Sequence, residues 1–321
     1  MSDMTYRRLG TSGLVVSTVG IGCNNFGRKL DADGTRTVVD AAIEAGITLF
    51  DTADIYGTPP GGSEELLGAA LKGRRDEVVL ATKFGMDMGG SNGADRGARG
   101  GRRYIVRAAE ASLRRLDTDY IDLYQIHAPD AETPIDETLA ALDDLVHSGK
   151  VRYLGHSNFA GWQIADADWT AQASGRTPFI SAQNRYSLLN RAVETEVIPA
   201  CEHFGLGFLP FFPLDSGLLS GKYKRGETPP EGTRLALDRY RPWFDAADWD
   251  TVEALTAFGA ERGHSLLEVA IAGLAARPAV TSVIAGATTA EQVWANAKAG
   301  AWQLTAEEVA ALTETLTETL G

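Results

Sequence analysis

Apolar stretches of strand length alternate along this chain with segments of helical periodicity, and this alternation restricts its fold more than any other feature. We count eight such stretches. They are Val19 to Gly22, Thr48 to Asp51, Val78 to Lys83, Ile121 to His127, Val151 to Ser157, Phe179 to Gln183, Leu206 to Phe211 and Ser282 to Gly286. Several are apolar throughout, as expected for parallel strands covered on both faces. Eight strand–helix units favour an α/β fold of the closed (β/α)8 TIM-barrel type over an open sheet.

Two further elements are predicted at the ends of the chain. An opening hairpin would pair Thr5 to Leu9 with Leu14 to Thr18 through a turn at Thr11-Ser12-Gly13. A capped amphipathic helix would run from Thr305 through Leu316, with Glu308 completing the capping box. We therefore expect residues 1–321 to form a single barrel domain with an N-terminal hairpin and an extra C-terminal helix.

The charge balance and the cysteine count narrow the class of protein. The chain has 30 Lys and Arg against 43 Asp and Glu, a formal charge of −13, which argues against nucleic-acid binding. Two widely separated cysteines, Cys23 and Cys201, indicate neither a disulfide framework nor a cysteine-rich metal site. The polar N-terminus and the lack of any apolar run of ~18 residues predict a cytoplasmic protein without a membrane span.

Two long stretches interrupt the alternation, and each follows a predicted strand. Met86 to Gly101 is rich in glycine and polar residues, and Pro213 to about Trp249 contains clustered aromatic residues. Because loops after strands form the active face of a barrel, both are expected to wall a substrate pocket. Aromatic candidates for its lining are Trp243 and Phe244, and also Trp162 or Tyr186. The alternative is that both are surface loops without a role.

Three ionisable residues close three successive stretches: Asp51, Lys83 and His127. A charged residue at the end of an apolar barrel strand is costly to bury alone and indicates an active site at the C-terminal face. Tyr56 lies five residues beyond Asp51 and can reach the same mouth. Singly, each residue has an ordinary structural explanation as a cap, an edge charge, a satisfied histidine or a packing residue. Their order on successive strands favours the catalytic interpretation.

The four side chains suit protonation of a carbonyl oxygen. A phenol with a pKa near 10 is a weak acid, but a neighbouring ammonium stabilises the phenolate and would lower that pKa. We predict that Lys83 does this for Tyr56 and that Asp51 pairs with Lys83. His127 would hydrogen-bond the substrate oxygen and share in the proton path.

The segments around these residues resemble the signature segments of the aldo-keto reductases. They are Asp51-Thr52-Ala53-Asp54-Ile55-Tyr56-Gly57, Thr82-Lys83-Phe84-Gly85 and Asp122-Leu123-Tyr124-Gln125-Ile126-His127. The resemblance continues nearly to the end of the chain, through Gly155-His156-Ser157-Asn158-Phe159 and Gly286-Ala287-Thr288-Thr289-Ala290-Glu291-Gln292. It implies hydride transfer from nicotinamide C4 to an aldehyde or ketone, a proton from Tyr56, and no metal. The spacing of the last segment resembles the branch that includes bacterial reductases and the potassium-channel β-subunits.

The same resemblance assigns a set of cofactor contacts. Ser157, Asn158 and Gln183 would hold the nicotinamide carboxamide, and Phe211 would stack beneath its ring. Pro213, Leu214, Ser216, Gly217 and Leu218 would pass along the pyrophosphate, where an aspartate at 215 is unfavourable unless its side chain turns away. Lys222 and Arg234 would supply charge for a 2′-phosphate, and the adenine end would meet Gly286, Thr288, Gln292 and Asn296. NADP(H) is the first expectation and NAD(H) the second. Gln292 has a capping role as an alternative or additional explanation.

Two other functional classes stay open at this point. Lys83 could form a Schiff base with a carbonyl substrate in a barrel aldolase or lyase, although that requires a neutral lysine, which Asp51 disfavours. The chain could also be a cofactor-binding regulator or partner subunit in which redox chemistry is incidental.

Overall fold

The computed structural model describes residues 4–320, and its centre is a barrel of parallel strands preceded by a short hairpin. The hairpin pairs β1 (Tyr6–Arg8) with β2 (Val15–Ser17) in antiparallel fashion, as predicted. The barrel strands follow in chain order. They are β3 (Val19–Gly22), β4 (Leu49–Asp51), β5 (Val79–Phe84), β6 (Ile121–Ile126), β7 (Val151–Ser157), β8 (Phe179–Gln183), β9 (Gly207–Phe208) and β10 (Val283–Gly286). From β3 to β9 each strand pairs with the next, and β10 pairs with β3.

Contacts between β9 and the approach to β10 close the sheet into a ring. Phe208 forms a parallel bridge with Val280, and the Thr281 amide donates to the Phe208 carbonyl at 2.9 Å. Pro210 lacks an N–H, so the regular ladder of β9 ends earlier than the sequence indicated. Its carbonyl still accepts from the Ile284 amide at 3.0 Å. The (β/α)8 barrel predicted from the sequence is confirmed.

Helices surround the strands, and the apolar core lies mainly between the two layers. The helices are α1 (Ala32–Glu44), α2 (Gly62–Ala70), α3 (Arg102–Leu116), α4 (Ile135–His147), α5 (Gly161–Ser174), α6 (Val197–Phe204), α7 (Arg241–Asp245), α8 (Trp249–Ala260), α9 (Leu266–Ala275), α10 (Ala290–Ala301) and α11 (Ala306–Leu320). Among residues 4–320, no helix combines the length and the apolar character that crossing a bilayer requires.

The C-terminal helix α11 begins at the predicted capping box. The Thr305 amide donates to Glu308 Oε2 at 2.8 Å, and the Glu308 amide donates to Thr305 Oγ1 at 3.2 Å. Its buried Leu312 and Leu316 join the main core, while the helix continues beyond Leu316 to Leu320. The extra C-terminal helix is therefore present and longer than predicted.

The long loop after β9 carries short 3-10 turns and α7, and it has a small core of its own. Leu218, Tyr223, Leu235 and Phe244 are buried together in it. The expectation that Phe244 lines a substrate pocket is therefore wrong, since its ring packs 6.0 Å from that of Tyr223.

Tyr186 is likewise not a wall of the pocket. Its side chain is fully buried in the main core, and its hydroxyl donates to Glu194 Oε1 at 2.6 Å. A tyrosine that is satisfied in this way serves packing, because neither its ring nor its hydroxyl is free for a substrate.

Candidate active site

The barrel topology brings the four predicted residues to one end of three neighbouring strands. Asp51 ends β4, Lys83 lies near the end of β5, and His127 directly follows β6. Tyr56 lies in the loop between β4 and α2, where its carbonyl accepts from the amides of Gly61 and Ser63 at 3.1 Å.

Gly57 makes this tight loop possible. Its φ is +97°, and a Cβ at this position would lie 2.6 Å from the Ser63 amide nitrogen. Only glycine tolerates both the positive φ and the close approach, so the turn that presents Tyr56 depends on it.

Lys83 and Asp51 form a buried ion pair. Lys83 Nζ lies 2.6 Å from Asp51 Oδ2 and donates to the Thr52 carbonyl at 2.9 Å, with side-chain exposures of 0% and 4% for the pair. Burial acts to lower the pKa of Lys83, but the charge of Asp51 and its hydrogen bond to Lys83 oppose that effect, and the net pKa is raised. Lys83 is therefore a fixed ammonium ion.

Two glutamine side chains hold the other oxygen of Asp51. Gln125 Nε2 donates to Asp51 Oδ1 at 3.1 Å, and Gln183 Nε2 donates to the same atom at 2.9 Å. Gln183 is thus in the site, but its amide nitrogen is already engaged. Gln125 was not among the predicted site residues. The sequence signal for Gln125 was its position two residues before His127, a spacing that places both side chains on the same face of an extended segment.

The rings of Tyr56 and His127 meet edge to face with centroids 5.7 Å apart, and Lys83 Nζ lies 5.3 Å from the Tyr56 ring centroid. Burial raises the pKa of Tyr56 above its ordinary value, while the nearby charge of Lys83 opposes that rise. The expectation of a lowered tyrosine pKa is therefore wrong. Desolvation exceeds the help from Lys83, and Tyr56 is a neutral phenol.

His127 is a neutral imidazole. Burial, with a smaller contribution from the charge of Lys83, lowers the pKa of His127 to about 3. Its Nδ1 atom is buried and has no hydrogen-bond partner among the described residues. A neutral imidazole can donate one hydrogen bond but has no second proton to give.

Ser157 and Asn158 lie at the end of β7, beside His127 and Gln183. Ser157 Oγ donates to the Gln183 carbonyl at 2.7 Å, and Asn158 Nδ2 donates to the His127 carbonyl at 2.9 Å. Asn158 has a φ of 61°, a left-handed conformation that asparagine tolerates better than most residues. The two residues therefore form a hydrogen-bonded rim next to His127.

The stretch predicted to follow a pyrophosphate has an unusual backbone. Asp215 and Ser216 have φ values of 41° and 61°, and Gly217 follows at 98°. Successive residues of this kind can form a concave array of amide groups that suits an anion. Asp215 Oδ1 accepts from Arg185 Nη2 at 2.5 Å. The Asp215 side chain is thus paired with Arg185. This meets the requirement, stated from the sequence, that the side chain turn away from a bound phosphate.

The other predicted members of this stretch have mixed environments. Phe211 packs against Phe212 with ring centroids 5.5 Å apart, and Pro213 and Leu218 are buried. Leu214 is partly exposed, and its carbonyl accepts from the Gly217 amide at 2.8 Å. The side chain of Leu218 belongs to the small loop core, so only its backbone is available to a ligand.

Cationic side chains converge next to this stretch. Arg234 lies 5.8 Å from the Phe212 ring centroid, and the Lys222 ammonium lies beside Gly217, close to the position that a Cβ would take there. Lys29, from the loop after β3, has a pKa lowered by burial and by the charges of Arg234, Lys222, Arg239 and Arg28. In the part of the chain that the structure describes, no ion pair joins any of these five cations to a carboxylate. Lys222 and Arg234 were predicted from the sequence, whereas Arg28, Lys29 and Arg239 were not.

The residues predicted for an adenine extend from the end of β10 into α10. Gln292 Oε1 accepts from the Thr288 amide at 2.8 Å, and the Gln292 amide donates to Thr289 Oγ1 at 3.3 Å. Thr289 thus caps α10 as predicted, but the Gln292 side chain accepts from the Thr288 amide and not from the Thr289 amide that a capping box requires. Asn296 is 3% exposed, and its Nδ2 has no partner among residues 4–320, while Gly286 is exposed nearby. A buried amide without a partner is costly unless a ligand supplies one.

Comparison with known proteins identifies the relationship that these features suggest. The model of the aldo/keto reductase family matches residues 18–317. The chain belongs to the aldo/keto reductase family. As a member, it is an oxidoreductase of the carbonyl-reducing type, and the family generally uses nicotinamide cofactors, mostly NADPH.

Three relatives align along nearly the whole chain. A Bacillus subtilis (strain 168) protein, the uncharacterized oxidoreductase YrpG, is 38% identical over 307 residues, covering 92% of this chain and 91% of its own. A probable voltage-gated potassium channel subunit beta of Oryza sativa subsp. japonica is 37% identical, with 92% and 91% covered. The L-glyceraldehyde 3-phosphate reductase of Escherichia coli O157:H7 is 32% identical, with 92% and 88% covered.

Proposed function

We propose that this aldo/keto reductase is an NADPH-dependent carbonyl reductase that converts an aldehyde or ketone, such as a sugar or aryl carbonyl, into the alcohol, with Tyr56 as the proton donor. The observation that carries the proposal is the buried Lys83–Asp51 pair beside the rings of Tyr56 and His127. The reverse oxidation of an alcohol would use the same groups.

The residues present fit a dinucleotide. Asn296 offers an unpartnered buried amide, and the left-handed run at Asp215 and Ser216 turns its aspartate toward Arg185. Ser157, Asn158, Gln183 and Phe211 would hold the nicotinamide end; Pro213, Leu214, Ser216, Gly217 and Leu218 the pyrophosphate; Gly286, Thr288, Gln292 and Asn296 the adenine end. When bound, the cofactor supplies the hydride that the carbonyl carbon accepts.

The unpaired cations favour NADPH over NADH. Five positive side chains without carboxylate partners repel one another, and in a chain of net charge −13 such a cluster points to an anionic ligand. Lys222 and Arg234, joined by Lys29, would meet the 2′-phosphate that distinguishes the two cofactors. Arginine suits that group because its planar fork matches phosphate oxygens. NADH use at lower affinity is compatible with the same site.

The proton would pass from the Tyr56 hydroxyl to the carbonyl oxygen of the substrate. The phenolate left on Tyr56 is then stabilised by the Lys83 ammonium, whose charge is kept by Asp51 and oriented by the Thr52 carbonyl. A lysine held charged in this way is a poor Schiff-base nucleophile, so the aldolase alternative is disfavoured.

His127 would position the substrate oxygen. Because its pKa is lowered to about 3, the ring is neutral and can donate one N–H hydrogen bond without competing as an acid. Tyr56 alone then delivers the proton. The walls that select the substrate would be the loop of residues 86–101 and the exposed Trp243.

Residues 1–321 would act as one barrel domain without a metal. The free and buried thiols of Cys23 and Cys201 are typical of a reducing compartment, and we place the protein in the cytoplasm.

A second candidate is a partner subunit in which carbonyl reduction is incidental. It is favoured by the rice relative named as a probable potassium channel subunit beta. A stable hetero-complex in a pull-down, combined with slow turnover of every carbonyl tested, would support it.

The test is cofactor binding and consumption. Purified protein is titrated with NADPH and with NADH while nicotinamide fluorescence is followed, and each mixture then receives a panel of aldehydes, ketones and reducing sugars. Consumption of NADPH with at least one carbonyl supports the reductase. Binding of neither cofactor would overturn both the reductase and the cofactor-regulated subunit.

A further inference from the structure

A network of buried polar side chains joins the loop of residues 86–101 to the segment that presents Tyr56. Asn92, 5% exposed, is its link. Asn92 Nδ2 donates to Asp54 Oδ2 at 2.9 Å, and Asn92 Oδ1 accepts from Arg115 Nη1 at 3.1 Å. Asp54 is fully buried two residues before Tyr56, and its amide donates to the Lys83 carbonyl at 3.1 Å.

Arg115, on α3, anchors the network from the helix side. Its Nε donates to Glu64 Oε2 at 2.6 Å, and Glu64 Oε1 accepts from Thr82 Oγ1 at 2.6 Å, next to Lys83. Gly61 gives Arg115 its space, because with a φ of +93° a Cβ there would lie 2.6 Å from Arg115 Cδ. The network therefore reaches the residues next to both Tyr56 and Lys83.

The Asn92–Asp54 bond has no substitute. Other hydrogen bonds of this loop go to other parts of the chain. The Ala94 carbonyl accepts from Arg107, the Gly100 amide donates to Asp130, and the Gly100 carbonyl accepts from Thr138. Within the part of the chain described, it is the one hydrogen bond between residues 86–101 and residues 52–63. Asp54 Oδ1 has no hydrogen-bond partner among the described residues, so Asn92 is also the one side chain bonded to the Asp54 carboxyl group.

We propose that Asn92 is a positioning residue that fixes the loop of residues 86–101 beside Tyr56, so that the binding of carbonyl substrates depends on its bond to Asp54. The expected effect on substrate binding rests on the proposed carbonyl reduction. The role of Asn92 in holding the loop does not. Among the described residues Asn92 forms no hydrogen bond with Lys83 or with the cationic cluster, so we expect cofactor binding to be independent of it.

The test exchanges donor and acceptor across this bond. Asn92→Leu keeps the approximate size of the side chain and removes the donor to Asp54, while Arg115 keeps its hydrogen bond to Glu64. In Asp54→Asn combined with Asn92→Asp, the new amide donates back to the new carboxylate, which restores the bond. Ser91→Ala is the control, because this neighbouring side chain is exposed and makes no hydrogen bond in the described structure. The readouts are amide hydrogen exchange of residues 86–101, NADPH affinity by fluorescence, and KM and kcat for an aldehyde.

We expect Asn92→Leu to lose exchange protection in the loop and to raise KM about tenfold, the usual effect of losing one hydrogen bond to a buried group. NADPH affinity should stay as in the wild type, and the double variant should recover protection and KM. Loop protection and KM equal to those of Ser91→Ala would overturn the proposal, as would no recovery in the double variant. If no carbonyl is reduced by any form, the proposed function fails, and the exchange data still decide whether Asn92 holds the loop.

Discussion

Lys83 Nζ lies 2.6 Å from Asp51 Oδ2, and neither side chain is more than 4% exposed. Burial keeps both charges from bulk solvent, so each partner depends on the other. Removing one member of such a pair leaves an uncompensated buried charge and costs roughly 3–5 kcal/mol. The site is therefore coupled to the stability of the barrel.

This coupling predicts non-additive effects on the free energy of unfolding. Lys83→Met should lower it by about 3–5 kcal/mol, whereas Lys83→Met combined with Asp51→Asn should lose less than the sum of the single changes. Urea denaturation measures the free energy of unfolding of Lys83→Met, Asp51→Asn and the double variant. Lys72→Met is the control because that lysine is exposed. Additive losses would show that the two charges do not interact.

Turnover should not depend on a histidine ionisation near neutral pH. The pKa of His127 is about 3 and that of Tyr56 is raised above 10, so neither group changes charge between about pH 5 and about pH 9. Burial raises the pKa of nearby Asp54 to about 8, so we expect kcat to be flat in a pH-rate profile between about pH 5 and about pH 7. A limb with a midpoint near 6.5 that disappears in His127→Gln would contradict the neutral-imidazole account.

A second buried histidine should make the fold sensitive to acid. His156 is fully buried between the rings of Phe159 and Phe179, and neither ring nitrogen has a partner in the described structure. Burial lowers the pKa of His156 to about 3. The unfolded chain therefore takes up a proton below about pH 6.5 that the folded chain refuses. Stability is complete above that pH and falls as the pH drops toward 3.

His156→Leu should remove this histidine's share of the loss, about 1.4 kcal/mol for each pH unit below the unfolded pKa. Unfolding midpoints at several pH values between about 4.5 and about 7.5 measure it. His147→Leu, at a histidine that is 75% exposed, is the control. Parallel stability curves for His156→Leu and the wild type would contradict the assignment.

Strand order and the four residues at the barrel mouth could be predicted from the sequence for a physical reason. A charged residue at the end of an apolar strand has few stable positions other than the open end of the barrel, and Asp51 and Lys83 are both of this kind. The order of the strands along the chain then predicts that these two residues lie on neighbouring strands. The ion pair is then a consequence of adjacent strands.

Contacts made by loops could not be predicted in the same way. Lys29 and Arg239 are far apart in sequence, and only the path of the long loop places them near each other. Phe244 is apolar whether it lines a pocket or fills a small core, so its sequence position could not separate the two. The pKa of Tyr56 depends on how far burial outweighs Lys83, which requires the coordinates.

The cation cluster predicts cofactor selectivity. Lys29→Gln should weaken NADPH binding about tenfold, as expected when one charge-assisted contact is lost, and leave NADH binding nearly unchanged. Fluorescence titration with both cofactors measures this, with Lys72→Gln as the control. Equal losses for both cofactors would assign Lys29 to the shared pyrophosphate rather than the 2′-phosphate, and no loss for either would exclude it from the site.

The central claim is that Tyr56 gives the proton in carbonyl reduction, and single-turnover oxidation of bound NADPH by an aldehyde tests it most directly. Wild type and Tyr56→Phe are compared, with NADPH affinity measured by fluorescence in both. We predict that Tyr56→Phe retains cofactor affinity and slows the reaction by about 10²- to 10⁴-fold, the contribution of a general acid. Turnover at the wild-type rate in Tyr56→Phe would contradict the account and remove Tyr56 from the mechanism.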